Sequence, residues 1–214
     1  MENNSFKSEE LLSKSSKFKR FYDSNKISFL STVIVVFILA ISITFYLELQ
    51  KKKKNEIAEN YIKAKILIRN GDNIKAETML KYIVLEDDNV YSALSLFTIL
   101  DENLTIDDEE ISNLFDHLLE NNKFEYEIKN LILYKKALFQ SNYLNENKML
   151  EVTKPLINND TIWKNHTLLL LGDYFLSKNQ HSKAKEFYTE IISSKNKSRE
   201  FHQLARSRLS SINE

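Results

Sequence analysis

Two glycines and one proline punctuate the 214 residues of this chain, and that scarcity excludes more folds than any other feature. Sheet proteins turn at Gly and Pro, because few other residues adopt the required backbone angles without strain. Phosphate-cradling loops need Gly for a second reason: the backbone must come close to the anion. Two glycines supply neither G-x-G-x-x-G nor G-x-x-x-x-G-K-[ST], and neither pattern occurs. A nucleotide-binding α/β enzyme of the usual kinds is therefore close to excluded, and an all-α fold is expected. Cys is absent, which removes disulfides, thiolate nucleophiles and cysteine-ligated zinc together.

The second constraint is an apolar run. From Ile27 through Val36 to Leu47 there are 21 residues without a charge, ISFLSTVIVVFILAISITFYL. As a helix rising about 1.5 Å per residue this covers roughly 31 Å, close to the ~30 Å hydrocarbon core of a bilayer. Its β-branched residues weaken a helix in water, but in lipid unpaired backbone is too costly to allow another conformation. Ser28, Ser31, Thr32, Ser42 and Thr44 can bond back to the preceding turn, and Phe45 and Tyr46 stand where an interfacial aromatic belt belongs. A cleaved signal peptide has a shorter apolar stretch followed by a small-residue site, and Ala40-Ile41-Ser42 lies inside the run rather than after it. The run is expected to be an uncleaved anchor. Orientation does not follow from charge. Lys7, Lys14, Lys17, Lys19, Arg20 and Lys26 on one side are nearly balanced by Lys51–Lys54, Lys63, Lys65 and Arg69 on the other.

The expected organisation is a tail at 1–26, a transmembrane helix at 27–47, a basic juxtamembrane linker at 48–54 and one helical domain at 55–214. The domain is mildly acidic, with 20 Lys/Arg against 25 Asp/Glu. Polar breaks at Asn70-Gly71-Asp72, Glu86–Asn89, Asp101–Leu104, Asn121-Asn122, Asn142–Asn145, Asn158–Asp160, Lys178–Gln180 and Ser194–Asn196 divide it into eight or nine helices of ordinary length. Thr105 with Asp108 offers a capping box, and Asp160 or Thr161 can cap the helix that carries Trp163.

Regular helix pairs imply a repeat. Its best example is Leu168-x-x-Leu171-Gly172-x-x-Phe175, then Ala184-x-x-x-Tyr188-x-x-Ile191. This fits the tetratricopeptide pattern: Gly172 and Ala184 let two helices approach, and the five large side chains fill the layer between them. Tyr61, Ala64 and Leu67 with Ala76, Leu80 and Ile83 form a fainter pair. So do Ala93, Leu94 and Phe97 with Leu114, Leu118 and Leu119, and Leu133 and Ala137 with Met149 and Leu156. About four pairs and a last helix, Arg199 to Ile212, make a tetratricopeptide-like α-solenoid with a cap.

A charged N-terminal segment, one membrane helix and divergent pairs ending at Pro155 to Ile212 resemble the ancillary subunit of the bacterial Sec translocon, in its alphaproteobacterial form. The telling stretches are Leu150 to Pro155, Trp163 with Leu168-Leu171-Gly172, Ala184-Lys185-Glu186-Phe187-Tyr188 and Leu204-Ala205. The chain departs from that family in being rich in Asn, Lys and Ile where its members are rich in Ala. The resemblance implies an inner-membrane protein with a cytoplasmic N-terminus and a periplasmic domain, whose partners are the translocon, periplasmic chaperones or emerging polypeptides. It brings no catalytic residues.

The other candidate sites read as structural. His117, His166, His181 and His202 fit no metal-ligand spacing. Asp101, Glu102 and Asp107 to Glu110 suit a helix N-terminus better than a calcium loop, which needs a turn Gly. Trp163 reads as a plug at a helix start, or as an anchor for a partner. The basic end, Lys195, Lys197, Arg199, Arg206 and Arg208, lacks interleaved aromatics, so no nucleic acid is expected. Phe6 to Tyr22 reads equally as an amphipathic surface helix or a disordered tail. No cofactor, metal or small-molecule substrate is expected. Two functions stand: a periplasm-facing adaptor or chaperone, and a cytoplasmic scaffold tethered by the same helix.

Overall fold

The structure, a computed structural model, describes residues 25–104, 107–194 and 198–213. Phe6 to Tyr22, Thr105, Lys195 and Lys197 therefore lie outside the described residues. The chain divides into two compact units, Met1–Glu56 and Ile57–Glu214.

In the first unit the described chain is helical. Helix α1, Lys26–Arg69, begins there, and Ile27, Val36 and Leu47 are each more than half exposed, as are most of the large apolar side chains around them. The hydroxyls of Ser31 and Thr32 donate to the Ser28 carbonyl at 2.8 and 2.9 Å. Those of Ser42 and Thr44 donate to Ile38 and Ala40 at 2.9 and 2.8 Å. Four hydroxyls of the run are thus satisfied within the helix, and most of the remaining surface is apolar. It is long and apolar enough to cross a membrane. The stretch 48–54, expected as a basic juxtamembrane linker, is helical: four lysines and a glutamate are good helix formers, and no Gly or Pro interrupts them.

The second unit holds the end of α1 and eight further helices: α2 Asn73–Val84, α3 Tyr91–Asp101, α4 Asp108–Asn121, α5 Tyr126–Gln140, α6 Glu146–Asn158, α7 Lys164–Ser177, α8 His181–Ser193 and α9 Arg199–Asn213. No strand occurs among the described residues. From α2 onward each helix packs on the next, and α2 also meets α4, α5 meets α7, and α7 meets α9. That is the neighbour-on-neighbour pattern of a helical-repeat solenoid.

Three of the breaks close in the same way. Gly71, Asn103 and Asn179 have φ of 79°, 50° and 59°. In each case the next amide donates back five residues: Asp72 to the Leu67 carbonyl, Leu104 to Ile99 and Gln180 to Phe175, at 2.9–3.0 Å. This is the Schellman ending, which needs one left-handed residue and takes Asn when Gly is absent. Helix starts are capped by carboxylates and amides. Asp107 accepts from the amides of Glu109 and Glu110 at the start of α4, and Asn145 accepts from Lys148 at the start of α6.

Two buried cores result. The first gathers Ala64, Leu80, Val84, Ala93, Leu96, Ile99, Ile111, Phe115, Leu118 and Ile132. The second gathers Ala137, Met149, Leu168, Leu171, Phe175, Ala184, Tyr188, Ile191 and Ala205. In the second, Gly172 faces the Tyr188 ring, and the buried Tyr188 hydroxyl donates to Asp173 Oδ1 at 2.7 Å. The same oxygen accepts from Arg208 Nε at 2.9 Å, which ties α9 to α7.

Burial, and then the hydrogen bond to the Asp173 carboxylate, push the Tyr188 hydroxyl far above the usual tyrosine range. The unfolded chain loses this proton near pH 10 and the folded chain keeps it. Above that pH the unfolded state binds fewer protons, so stability present below about pH 10 is lost as pH rises further. Tyr188→Phe is expected to flatten this decline, while costing about 1 kcal/mol at neutral pH through the lost hydrogen bond. Urea unfolding at about pH 8 and pH 10.5 measures both effects.

A candidate binding groove

Helix α3 has the sequence YSALSLFTILD, apolar on nearly every side. Its small and hydroxyl side chains, not its largest ones, take several of the close-packed positions. Ser92 is fully buried, donating to the Ile83 carbonyl at 2.9 Å and accepting from the Asp88 amide at 3.0 Å. Thr98 donates to the Leu94 carbonyl and lies 3.1 Å, hydroxyl to hydroxyl, from Tyr61 of α1. With those neighbours so close, Leu96 and Ile99 turn into the core, while Val90 and Leu94 are left 49% and 41% exposed. Leu94 is thus not in the layer with Leu114, Leu118 and Leu119 where the repeat pattern puts it. Ala93, Leu114 and Leu118 are in that core, with Phe97 and Leu119 at its margin.

What Leu94 faces is a groove of about 510 Å³. Its walls are Val90 just ahead of α3 with Ala93, Leu94 and Phe97 of α3, and Phe124 just ahead of α5 with Ile128 and Leu131 of α5. Ala93 or Leu94 to Phe97, and Ile128 to Leu131, step by three or four residues, so each set lies on one face of its helix. Both helices pack on α4, and the groove opens between them. Asn89, Lys123 and Glu125 stand at one end. One turn beyond Leu131, the Lys135 ammonium lies 5.5 Å from the centre of the Phe97 ring, a cation–π contact. The groove therefore offers an apolar floor with charge at both ends. Its volume is that of sites that bury ligand side chains.

The remaining sequence candidates are placed as follows. Leu168, Leu171, Phe175, Ala184, Tyr188 and Ile191 are fully buried together in the second core, with Gly172 against Tyr188. They hold α7 to α8 and are not at the groove. Trp163 is half-buried at the start of α7, stacked on Tyr134 at 5.6 Å, with its Nε1 donating to the Glu127 carbonyl at 3.1 Å. His166 continues this aromatic row to Phe201 of α9, at 4.6 Å. His117 bonds Asp87 at 2.9 Å. The acids around α4 are taken up structurally: Asp107 caps, Glu110 pairs with Lys81 at 2.6 Å, and Glu102 pairs with Lys65 at 3.5 Å. The cap at α4 is Asp107 alone among the described residues; at α7 neither Asp160 nor Thr161 forms a side-chain cap, and the Thr161 hydroxyl accepts from the Trp163 amide just ahead of the helix, at 3.2 Å. No group of three or more metal-ligating side chains occurs among the described residues.

Sequence reasoning missed the groove because Leu94 and Leu96 look equivalent in a helix that is apolar all round. The usable signal was the spacing of Ser92, Ser95 and Thr98, three small polar residues on one face where a neighbouring helix comes close. No protein-family model, curated protein or solved structure matches this chain.

Proposed function

We propose that this chain is a membrane-anchored protein-binding module, an adaptor or chaperone that works through the groove between α3 and α5. The single observation that carries this is the open apolar groove in a domain preceded by an apolar helix of membrane-spanning length. Stacked helix pairs take extended or helical peptides in such grooves. The tetratricopeptide-like pattern around Gly172 and the resemblance to the Sec ancillary subunit support a bacterial inner-membrane site. On this reading the N-terminus is cytoplasmic, the domain is periplasmic, and the partners are the translocon, folding factors or emerging chains. Confinement to the membrane raises the effective concentration near a membrane-embedded partner, so a weak groove contact suffices.

The test is a photo-crosslinking residue at Leu94 in living cells, with the same residue at exposed Lys178 as control. Capture of translocon components, periplasmic folding factors or emerging chains from Leu94 alone is the expected result, and Ile128→Asp is expected to cut that capture about tenfold or more. Capture of cytoplasmic proteins only replaces this reading with the tethered cytoplasmic scaffold, for which Lys51–Lys54 would supply the positive-inside flank.

A further inference from the structure

Several lysines of this domain are ion-paired, most of them across helices. Lys81 meets Glu77 and Glu110, Lys164 meets Glu190, and Lys65 meets Glu102. Lys136 is paired with Asp116, and Lys183 with Glu146. The domain even carries an excess of acids, 25 against 20 Lys/Arg. Lys135, next in sequence to the paired Lys136, is the contrast. It is half-buried, its described contact is the face of Phe97, and no carboxylate lies within ion-pair range among the described residues. Lys123, at the opposite end of the groove, likewise has no such partner. The one carboxylate among the lining residues, Glu125, neighbours Lys123 ahead of α5, ten residues from Lys135.

We propose that the groove selects an extended apolar segment that is followed by a side-chain carboxylate. The apolar side chains lie on Val90, Leu94, Ile128 and Leu131, and the carboxylate meets the Lys135 ammonium. A lysine held over a ring keeps its remaining N–H donors free, so it binds an acid without leaving Phe97. The spacing fits. Tyr126, the first residue of α5, to Lys135 spans about 14 Å along the helix, which about four residues cover at about 3.3 Å each when extended. This inference rests on the groove being the binding site.

The test uses full-length protein in phosphatidylcholine nanodiscs, with empty nanodiscs as blank. The probes are fluorescein-labelled, C-terminally amidated peptides with a Leu-Phe-Ala-Leu core followed by Asp-Asp, Asn-Asn or Lys-Lys. Anisotropy titration is expected to show the Asp peptide binding about three- to tenfold tighter than the Asn peptide, and the Lys peptide weakest. The gap is expected to shrink in about 0.5 M salt, where the screening length is a few ångströms. Lys135→Gln brings the Asp-to-Asn ratio to about one while leaving the Asn peptide within about twofold, and Lys135→Arg keeps the ratio. Equal binding of the Asp and Asn peptides, or tightest binding of the Lys peptide, overturns the charge selectivity. If Leu94→Asp still weakens all three peptides in that case, the groove reading survives. If Leu94→Asp leaves binding unchanged, the groove reading fails and takes the selectivity with it.

Discussion

Gly172→Ala, a change of one methyl group, is expected to destabilise the helical domain by about 2 kcal/mol net, starting from about 3 kcal/mol of overpacking, the upper end of that cost. A Cβ at this position would lie 2.7 Å from Cδ1 and Cζ of Tyr188, and closer still to Cε1. Atoms this close cannot coexist, so something must move, and each route is blocked. The Tyr188 ring is fully buried, and its hydroxyl is held by Asp173, which also holds Arg208. Moving the ring breaks that network, and moving α7 from α8 opens a gap in the second core. The helix propensity gained by replacing Gly with Ala, about 1 kcal/mol, works against this loss and is smaller. For a domain of this size the melting temperature should drop by roughly 4–8 °C. Gly71→Ala is the control. Gly71 has φ +79° but nothing within 4 Å of a Cβ, so it bears only backbone strain, about 1 kcal/mol. A Gly172→Ala protein that melts with its parent would show that α7 and α8 do not touch here.

The second large effect belongs to the apolar run. If Ile27–Leu47 is the anchor, Val36→Arg puts a guanidinium near the middle of the bilayer and lowers insertion by about 2.5–3.5 kcal/mol, a factor of about a hundred or more. Val36 is 60% exposed, and no neighbour among the described residues covers it to take the charge. Ile27→Arg, at the end of the run, should cost much less, because the long side chain reaches the head groups. Alkaline carbonate extraction reads both. The parent and the Ile27 variant are expected in the membrane pellet, and much of the Val36 variant in the supernatant. A parent protein that itself washes off, or a mature N-terminus beyond Ala40, would show that the run is not a retained anchor.

Most of the helical layout was legible because breaks in a Gly-poor chain must be made by something else. Asn103 and Asn179 take the left-handed angles that Gly71 takes at the first turn, so Asn clusters mark the helix ends as Gly does elsewhere. The layer around Gly172 was legible for a related reason: a mid-helix Gly is unfavourable unless a neighbour fills its space. The groove was less so. Which side of α3 is covered depends on where α1, α2 and α4 lie, and a helix with apolar residues all round does not carry that information in its period. The helical continuation through Lys51–Lys54 was hidden as well, since a run of like charges reads as readily as solvated linker. Trp163 stayed ambiguous because stacking on Tyr134, a residue 29 positions away, depends wholly on tertiary approach.

Helix α5 places Ile132 in the first core and Ala137 in the second, while Ile128, Leu131 and Lys135 reach the groove. One helix is therefore the mechanical splice between two cooperative blocks. In a solenoid of this kind the opening of one block is coupled to the other largely through the shared helix. A segment seated in the groove touches α3 and α5 and nothing in α6 to α9. By mass action it stabilises the first block directly and the second only through the splice. Amide exchange would register an occupied groove as slowed opening in α3 and α5, fading along α7 and α8. The attenuation between them measures how firmly one helix can bind two halves into a single folding unit.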